Sequence, residues 1–241
     1  MIILVWCVYL IIRRKILIIL LIIFAVFGSY IVVTEITSFP SVVLGESELG
    51  KVSLKGSFGN PNSDNKIAII VGVHPLEYKA HDSILKHLRE HSSSLNSSYY
   101  VYIVDVTKDK DDFDKSRENG QILARDFVVP DVVSKDYDFS VDIHGNREVY
   151  SQNNFIIAPL NDKQSMFIGN EIIRDISGLG ILDFVPADDG HPTSPDYVSI
   201  PILKSGIPSL IYETSIYQSE DIIDKLMLEF LLNLDNIVFY S

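Results

Sequence analysis

The chain has 241 residues, of which 47% are hydrophobic and 22% are charged, and its formal net charge at pH 7 is −12. This length suits one sizeable domain, and the apolar fraction excludes a chain that is disordered throughout. The negative charge argues against a nucleic-acid partner, because binding phosphates requires clustered Lys and Arg. Cys7 is the only cysteine in the sequence, which excludes an internal disulfide and a cysteine-based zinc cluster.

The first predicted element is a transmembrane helix over residues 16–34, a stretch that contains no charged residue. A helix needs about 20 such residues to cross a bilayer. Three basic residues, 13–15, precede the stretch and Glu35 follows it, so the positive-inside rule places the N-terminus in the cytoplasm and the C-terminal domain outside the cell. We predict a single-pass protein in which residues 1–35 form an apolar segment and membrane anchor. A cleaved signal peptide is the closer alternative.

From residue 66 onward, apolar runs alternate with helical patterns. A continuous apolar run at 66–73 is typical of a strand buried on both faces. Further strands are predicted at 99–106, 138–143, 154–159 and 208–212, and helices at 75–91, 114–129, 162–177 and 219–235. This alternation predicts an α/β domain over residues 36–241, with a mostly parallel (mixed) sheet and helices on both faces.

Polar side chains follow three of the predicted strands. His74 comes after the first strand with Glu77 three residues on, His144 comes after the 138–143 strand, and Glu213 comes after the 208–212 strand. In open α/β sheets ligands bind at the carboxyl ends of the strands. We therefore expect these four side chains to lie together at one edge of the sheet.

Two His and one Glu leave one tetrahedral position open on Zn²⁺, which is the arrangement of catalytic zinc sites. The sequence thus predicts one Zn²⁺ per chain, held by His74, Glu77 and His144. Glu213 is the candidate general base that takes the proton of a zinc-activated water. A carboxylate paired with Lys or Arg at the end of a strand is the alternative for Glu213.

Two further residue patterns bear on this site. His87 and Glu90 repeat the His-x-x-Glu spacing, but they fall inside the 75–91 helix and predict a solvated contact between neighbouring turns. Asp142 precedes His144 by two residues and so shares its face of the strand. Asp142 could orient a ligating imidazole, and a purely structural role is equally compatible with its position.

The order of these residues resembles that in the zinc carboxypeptidase superfamily, with the closest likeness to its succinylglutamate desuccinylase and aspartoacylase branch. Where that branch typically has His-Gly-Asn-Glu, this chain has residues 74–77, His-Pro-Leu-Glu. The Arg-Asp-Phe of residues 125–127 matches the end of the branch's Asn-Arg motif, with Ala124 in place of the Asn and Arg117 upstream. The likeness covers about residues 66–216.

The resemblance implies a carboxypeptidase-like sheet and assigns roles to two arginines. Arg117 would polarise the scissile carbonyl and stabilise its oxyanion, and Arg125 would hold a substrate carboxylate. With Ala124 in place of the Asn, recognition of a free C-terminus is expected to be weakened or altered. The acidic segment 188–192, with Tyr197, fits an ordinary acidic turn, and a substrate-facing loop is the alternative.

Taken together, these features predict a membrane-anchored zinc metallohydrolase of the carboxypeptidase or deacylase kind. Its expected substrates are peptide or N-acyl amides that bear a carboxylate, with envelope peptides suggested by the predicted location. The competing hypothesis, motivated by Ala124 and by the unusual Pro75-Leu76, is a catalytically inactive relative that serves as an envelope binding or scaffold module. Metal content and turnover distinguish the two.

Overall fold

The computed structural model describes residues 14–24, 39–184 and 193–237. The chain divides into two units, Met1–Phe39 and Pro40–Ser241. In the first unit, residues 14–24 form helix α1, whose side chains are exposed. No helix within the described ranges is long and apolar enough to cross a membrane. The remainder of the predicted span, residues 25–34, lies outside the described residues, as does the predicted boundary at residue 35.

The second unit is built on one eight-stranded sheet with the spatial order β1-β2-β4-β3-β5-β8-β6-β7. The strands are β1 (Ser41–Ser47), β2 (Gly50–Gly59), β3 (Lys66–Val71), β4 (Ser98–Val106), β5 (Phe139–Asn146), β6 (Phe155–Ile157), β7 (Gly180–Leu182) and β8 (Ser209–Ser215). The four central strands, β4, β3, β5 and β8, run parallel. Antiparallel pairing of β1 with β2, β2 with β4 and β6 with β8 makes the sheet mixed. The predicted α/β architecture with a mixed sheet is confirmed.

Helices cover both faces of this sheet. They are α2 (Tyr78–His91), α3 (Phe113–Leu123), α4 (Val129–Val133), α5 (Lys163–Ile173), α6 (Ser194–Tyr197), α7 (Ser199–Lys204) and α8 (Glu220–Asp235). Ala68 and Ile70 of β3 belong to a core cluster with residues of α3, α4 and α7. Ile67 and Ile69 alternate with them, are also buried, and therefore point to the opposite face of the sheet. This two-sided burial is why the strand is continuously apolar.

Two differences from the predicted elements matter for the site. No strand was predicted before residue 66, whereas β1 and β2 form one edge of the sheet. Most of their side chains are exposed or half-buried. The alternation of apolar and polar residues along these two strands is therefore weak. The strands β5 and β8 also extend beyond their predicted ends, through Asn146 and Ser215, because their backbone pairing continues to those residues. His144 and Glu213 therefore lie within strands and not after them.

Candidate metal centre

His74 and Glu77 are placed by a sharp turn at the end of β3. Gly72 has φ +87°, a conformation that favours glycine. A Cβ added there would meet the carbonyl oxygen of Val104 at 2.1 Å, so the turn also requires the close approach that glycine permits. A 3₁₀ turn over Pro75–Glu77 follows, and Glu77 N donates a hydrogen bond to His74 O at 3.0 Å. The two side chains are thereby directed to the same place.

The three predicted ligands converge on one point. Nδ1 of His144 lies 3.0 Å from Nδ1 of His74 and 3.0 Å from Oε2 of Glu77. Nδ1 of His74 lies 3.0 Å from Oε1 of Glu77. All three residues are at most 4% exposed. The side chains that the sequence placed at the ends of two strands thus form a single group that could hold a metal ion.

The geometry and donor set fit Zn²⁺. With zinc–donor distances of about 2.0–2.1 Å, the donors of a tetrahedral site lie about 3.3 Å apart, close to the 3.0 Å separations found here. Two imidazole nitrogens and one carboxylate oxygen suit zinc, although other divalent metals accept the same donors. His74, Glu77 and His144 therefore fit a divalent metal with one or more positions left open.

Neighbouring side chains hold the ligands in this orientation. Oδ2 of Asp142 lies 2.9 Å from Nε2 of His144, and the side-chain amide of Gln121 lies 3.2 Å from Nε2 of His74. Because each Nε2 faces an outer partner, both Nδ1 atoms face the centre. The prediction that Asp142 shares a face with His144 is confirmed, and the contact is the one that would orient a ligating imidazole.

Glu77 is held as a charged carboxylate. Gly145 N donates to its Oε2 at 2.9 Å, and Arg117 donates to its Oε1. Burial alone would raise the pKa of Glu77, but the charges and hydrogen bonds of His74 and His144 lower it well below its usual range. An ionised carboxylate is the form that binds a metal.

The pKa values of the two histidines are shifted in opposite directions. Burial lowers the pKa of His74 to about 3, which favours the neutral, metal-binding imidazole. Burial also disfavours the charged form of His144, but the charge of Asp142, together with the charge and hydrogen bonding of Glu77, raises its pKa well above the usual value. Two carboxylates within 3.0 Å of one imidazole form a centre that favours a cation.

Glu213 faces the same centre from β8. It is paired in register with His144 of β5, and its Oε2 is buried with no hydrogen-bond partner among the described residues. Burial, together with the charge of Glu77, raises the pKa of Glu213 to about 8. No ion pair to Glu213 occurs in the described ranges, so the alternative of a carboxylate paired with Lys or Arg is not what the structure shows.

Two cavities open beside this centre, and Glu213 lines both. The larger is about 410 Å³ and contains His74, His144, Tyr150 and Ser194 in its wall. The smaller is about 270 Å³ and is lined by side chains that include Glu77, Phe113, Arg117, Arg147 and Tyr150. Substrate can therefore reach the candidate metal centre and the acidic group Glu213 together.

The two predicted arginines lie in different surroundings. Arg117, on α3, lines both cavities and contacts Glu77. Arg125 lies in a π-helical turn, Ala124–Val128, that continues α3. Its Nε donates to Oδ1 of Asp126 at 2.7 Å, and its side chain is 51% exposed. Arg125 lines neither of the two cavities that contain Glu213.

The His87 and Glu90 pair differs from its prediction in one respect. His87 is buried, at 5% exposure, because α2 packs on α8, and its Nε2 donates to the Asp224 carbonyl oxygen at 3.0 Å. The predicted contact between neighbouring turns is present, with His87 Nδ1 4.0 Å from Glu90 Oε2, but it is solvated only at Glu90, because the His87 side chain is buried. Together with His91 these residues form a second group with metal-capable atoms, but all three lie on one helix.

Several residues at the site were missed by the sequence analysis. Gln121 follows Arg117 by four residues on α3, so the helical period would have placed it on the same face. Ser194, whose Oγ lies 3.4 Å from Nε2 of His144, carries no local signal. Tyr150 and Arg147 lie in the segment after β5. The segment 188–192 lies outside the described residues.

Solved structures of metallo-carboxypeptidases share this fold. The metallo-carboxypeptidase of Burkholderia cenocepacia aligns with a TM-score of 0.57 and 15% identity, covering 82% of this chain and 64% of that one. A candidate metallopeptidase of Shewanella denitrificans aligns with a TM-score of 0.54 and 14% identity, covering 81% and 82%. The metallo-carboxypeptidase of Pseudomonas aeruginosa, in complex with (2-guanidinoethylmercapto)succinic acid, aligns with a TM-score of 0.53 and 13% identity, covering 80% and 62%.

These likenesses define an α/β protein with a metallo-carboxypeptidase-like fold. This chain spans less than two thirds of the length of the Burkholderia cenocepacia and Pseudomonas aeruginosa structures. No protein-family model matches the sequence, and no curated protein sequence is significantly similar to it.

Proposed function

We propose that the protein is a zinc-dependent hydrolase of amide bonds, either peptide or N-acyl. One observation carries this proposal: His74, Glu77 and His144 bring three ligand atoms to one point, and the unpartnered carboxylate of Glu213 lies in the walls of the cavities that open onto it. A metal ligand set with an open position, a free carboxylate and a substrate cavity are the parts that metal-assisted hydrolysis requires.

Each residue has a distinct task in this proposal. His74, Glu77 and His144 would hold the zinc ion, which would supply Lewis acidity that polarises a carbonyl and makes water a better nucleophile. Glu213, whose pKa a cation bound at the neighbouring centre would lower, would accept the proton of the attacking water and return it to the leaving amine. Its unpartnered Oε2 is available for this task because no described residue occupies it.

Arg117 is the candidate for stabilising the oxyanion. Its guanidinium lines both cavities and is fixed by the hydrogen bond to Glu77. A cation held in place before the reaction stabilises charge that develops on the carbonyl oxygen, with little reorganisation at the moment of reaction. The side chain is one third exposed, so a substrate entering the cavity can contact it.

The finer assignment rests on the sequence. Residues 74–77 and 125–127, with Arg117, support a place in the succinylglutamate desuccinylase and aspartoacylase branch. The uncharged stretch 16–34 and the preceding basic residues support a membrane-anchored protein with its C-terminal domain outside the cell. Peptides of the cell envelope would then be within reach of the site.

The proposal is tested with the purified full chain and a panel of N-acyl amino acids and short peptides. We expect release of free amine with one Zn²⁺ per chain, loss of turnover after chelation, and recovery when zinc is returned. Retention of zinc with no hydrolysis of any carboxylate-bearing amide would contradict the enzymatic proposal and favour the envelope binding module.

A further inference from the structure

Arg147 is a cation that has no charged partner among the described residues of this acidic protein. It follows β5 directly, three residues after His144. No carboxylate of the described residues lies within 4.0 Å of its guanidinium nitrogens. Its guanidinium carbon lies 3.4 Å from the centroid of the Phe113 ring. In a chain of net charge −12, an arginine held by an aromatic ring and left unpaired is available to an external anion.

Arg147 lies beside the reaction centre. It lines the 270 Å³ cavity whose wall also contains Glu77 and Glu213. The same Phe113 ring carries a second guanidinium, that of Arg117, at 5.0 Å. An anion that enters this cavity therefore meets two guanidinium groups, while the candidate ligand Glu77 and the candidate base Glu213 lie in the same wall.

The segment that carries Arg147 is fixed by its neighbours. Asn146 Oδ1 accepts a hydrogen bond from Glu148 N at 3.0 Å, and Asn146 Nδ2 donates to Asn153 O at 3.1 Å. Ser215 Oγ donates to Oε1 of Glu148 at 2.6 Å, so this adjacent carboxylate is engaged elsewhere. The two neighbours of Arg147 are thus anchored, and its own exposed side chain rests on the Phe113 ring.

Arg125 lacks these features. Its guanidinium is paired with Asp126 at 2.7 Å, and it lines neither cavity that contains Glu213. Arg125 is thus engaged by a neighbouring acid and lies outside the walls that contain the candidate base. The absence of an Asn at Ala124 is consistent with a carboxylate site that lies elsewhere.

We propose that Arg147, held on Phe113, is a substrate-binding residue that takes the carboxylate of the amide substrate in the smaller cavity, in place of Arg125. This inference rests on the proposed hydrolase function and its expected carboxylate-bearing substrates, and it names the residue that would hold the carboxylate beside the scissile bond. The planar guanidinium fork matches the two oxygens of a carboxylate. A neutral carboxamide in the same position offers no charge and a poorer match.

The binding test uses two probes, N-benzoylglycyl-phenylalanine and its C-terminal carboxamide, titrated calorimetrically into the zinc-loaded full chain carrying Glu213→Gln to suppress turnover. We expect the acid to bind about tenfold more tightly than the amide. Adding Arg147→Gln should abolish the preference, Arg147→Lys should retain part of it, and Arg125→Gln should leave it unchanged.

The inference would be overturned if the two probes bound equally well or if neither bound. It would also be overturned if the preference for the acid survived Arg147→Gln or vanished in Arg125→Gln. Zinc content and melting temperature, measured for every variant, must match the parent, so that misfolding does not imitate loss of binding. Turnover by the wild-type chain is scored separately. If the chain prefers the carboxylate probe but hydrolyses neither, only the hydrolase proposal is refuted. If the chain hydrolyses both the acid and the amide, and Arg147→Gln changes neither rate, only the assignment of Arg147 is refuted.

Discussion

His144 and Glu213 lie directly opposite each other on the neighbouring parallel strands β5 and β8. The imidazole of His144 faces His74 and Glu77, whereas the Oε2 of Glu213 has no partner among the described residues. The strand register thus places a candidate ligand beside a candidate base. Because two adjacent central strands set this relationship, it does not depend on a mobile loop.

Replacement of Glu213 by Gln should separate metal binding from catalysis. The amide cannot accept the proton of the attacking water, so we expect turnover to fall by about 10²- to 10⁴-fold with zinc content unchanged. Glu118→Gln, at an exposed position on α3, is the matched control and should remain active. Normal turnover by the Glu213→Gln protein would show that the base is a different residue.

Replacement of Asp142 by Asn should weaken metal binding. The Asp142 carboxylate lies 2.9 Å from Nε2 of His144, and partners of this kind typically contribute about 10- to 100-fold to metal affinity. Zinc affinity is measured by competition with a chromophoric chelator. Asp136→Asn, an exposed position before β5, is the control. Equal affinities for the two variants would remove Asp142 from the metal centre.

The candidate metal ligands could be predicted from the sequence more readily than the residues that contact and orient them. β3 was predicted because both of its faces are buried and its residues from Ile67 to Val71 are all apolar. In β5 the apolar residues Phe139, Val141 and Ile143 alternate with buried polar residues. His74 and Glu77 follow a strand, so their position could be inferred from the topology. The ends of β5 and β8 could not be predicted from the sequence, because polar residues such as Asn146 and Ser215 continue the strands through backbone pairing. The contact of Gln121 with His74 depends on how α3 packs, which the periodicity alone does not fix.

Replacement of Gly120 by Ala should destabilise the fold and the site together. A Cβ at this position would lie 2.0 Å from the carbonyl oxygen of Val73, so α3 could not approach the end of β3 as closely. We expect a loss of about 1–3 kcal/mol in the free energy of unfolding, measured with urea, and weaker zinc binding. Glu118→Ala, on the same helix, is the control and should change stability little. Equal stabilities of the Gly120→Ala and Glu118→Ala proteins would contradict the close approach of α3 to the end of β3.

His81 should make stability depend on pH. Its Nε2 lies 3.1 Å from the Ile143 carbonyl oxygen, and burial lowers its pKa to about 4. In the unfolded chain the pKa of His81 is about 6.5, so as the pH falls the unfolded chain is protonated before the folded one. The stability that the neutral, buried His81 contributes is therefore present at neutral pH and is lost as the pH falls toward about 4. The loss amounts to about 2 kcal/mol between pH 7 and pH 5.

The control for this prediction is His81→Gln, which keeps a donor for the Ile143 carbonyl but does not titrate in this range. Urea unfolding of both proteins at a series of pH values should give a shallower dependence for the variant. Parallel curves would show that His81 has an ordinary pKa in the folded chain.

X-ray absorption at the zinc edge, recorded on the zinc-loaded full chain, tests the metal centre most directly. We expect one Zn²⁺ per chain, with two imidazole nitrogens and a carboxylate oxygen at about 2.0–2.1 Å, and loss of an imidazole contribution in His144→Ala. Absence of bound zinc, or a zinc spectrum unchanged by His74→Ala and by His144→Ala, would contradict the site formed by His74, Glu77 and His144.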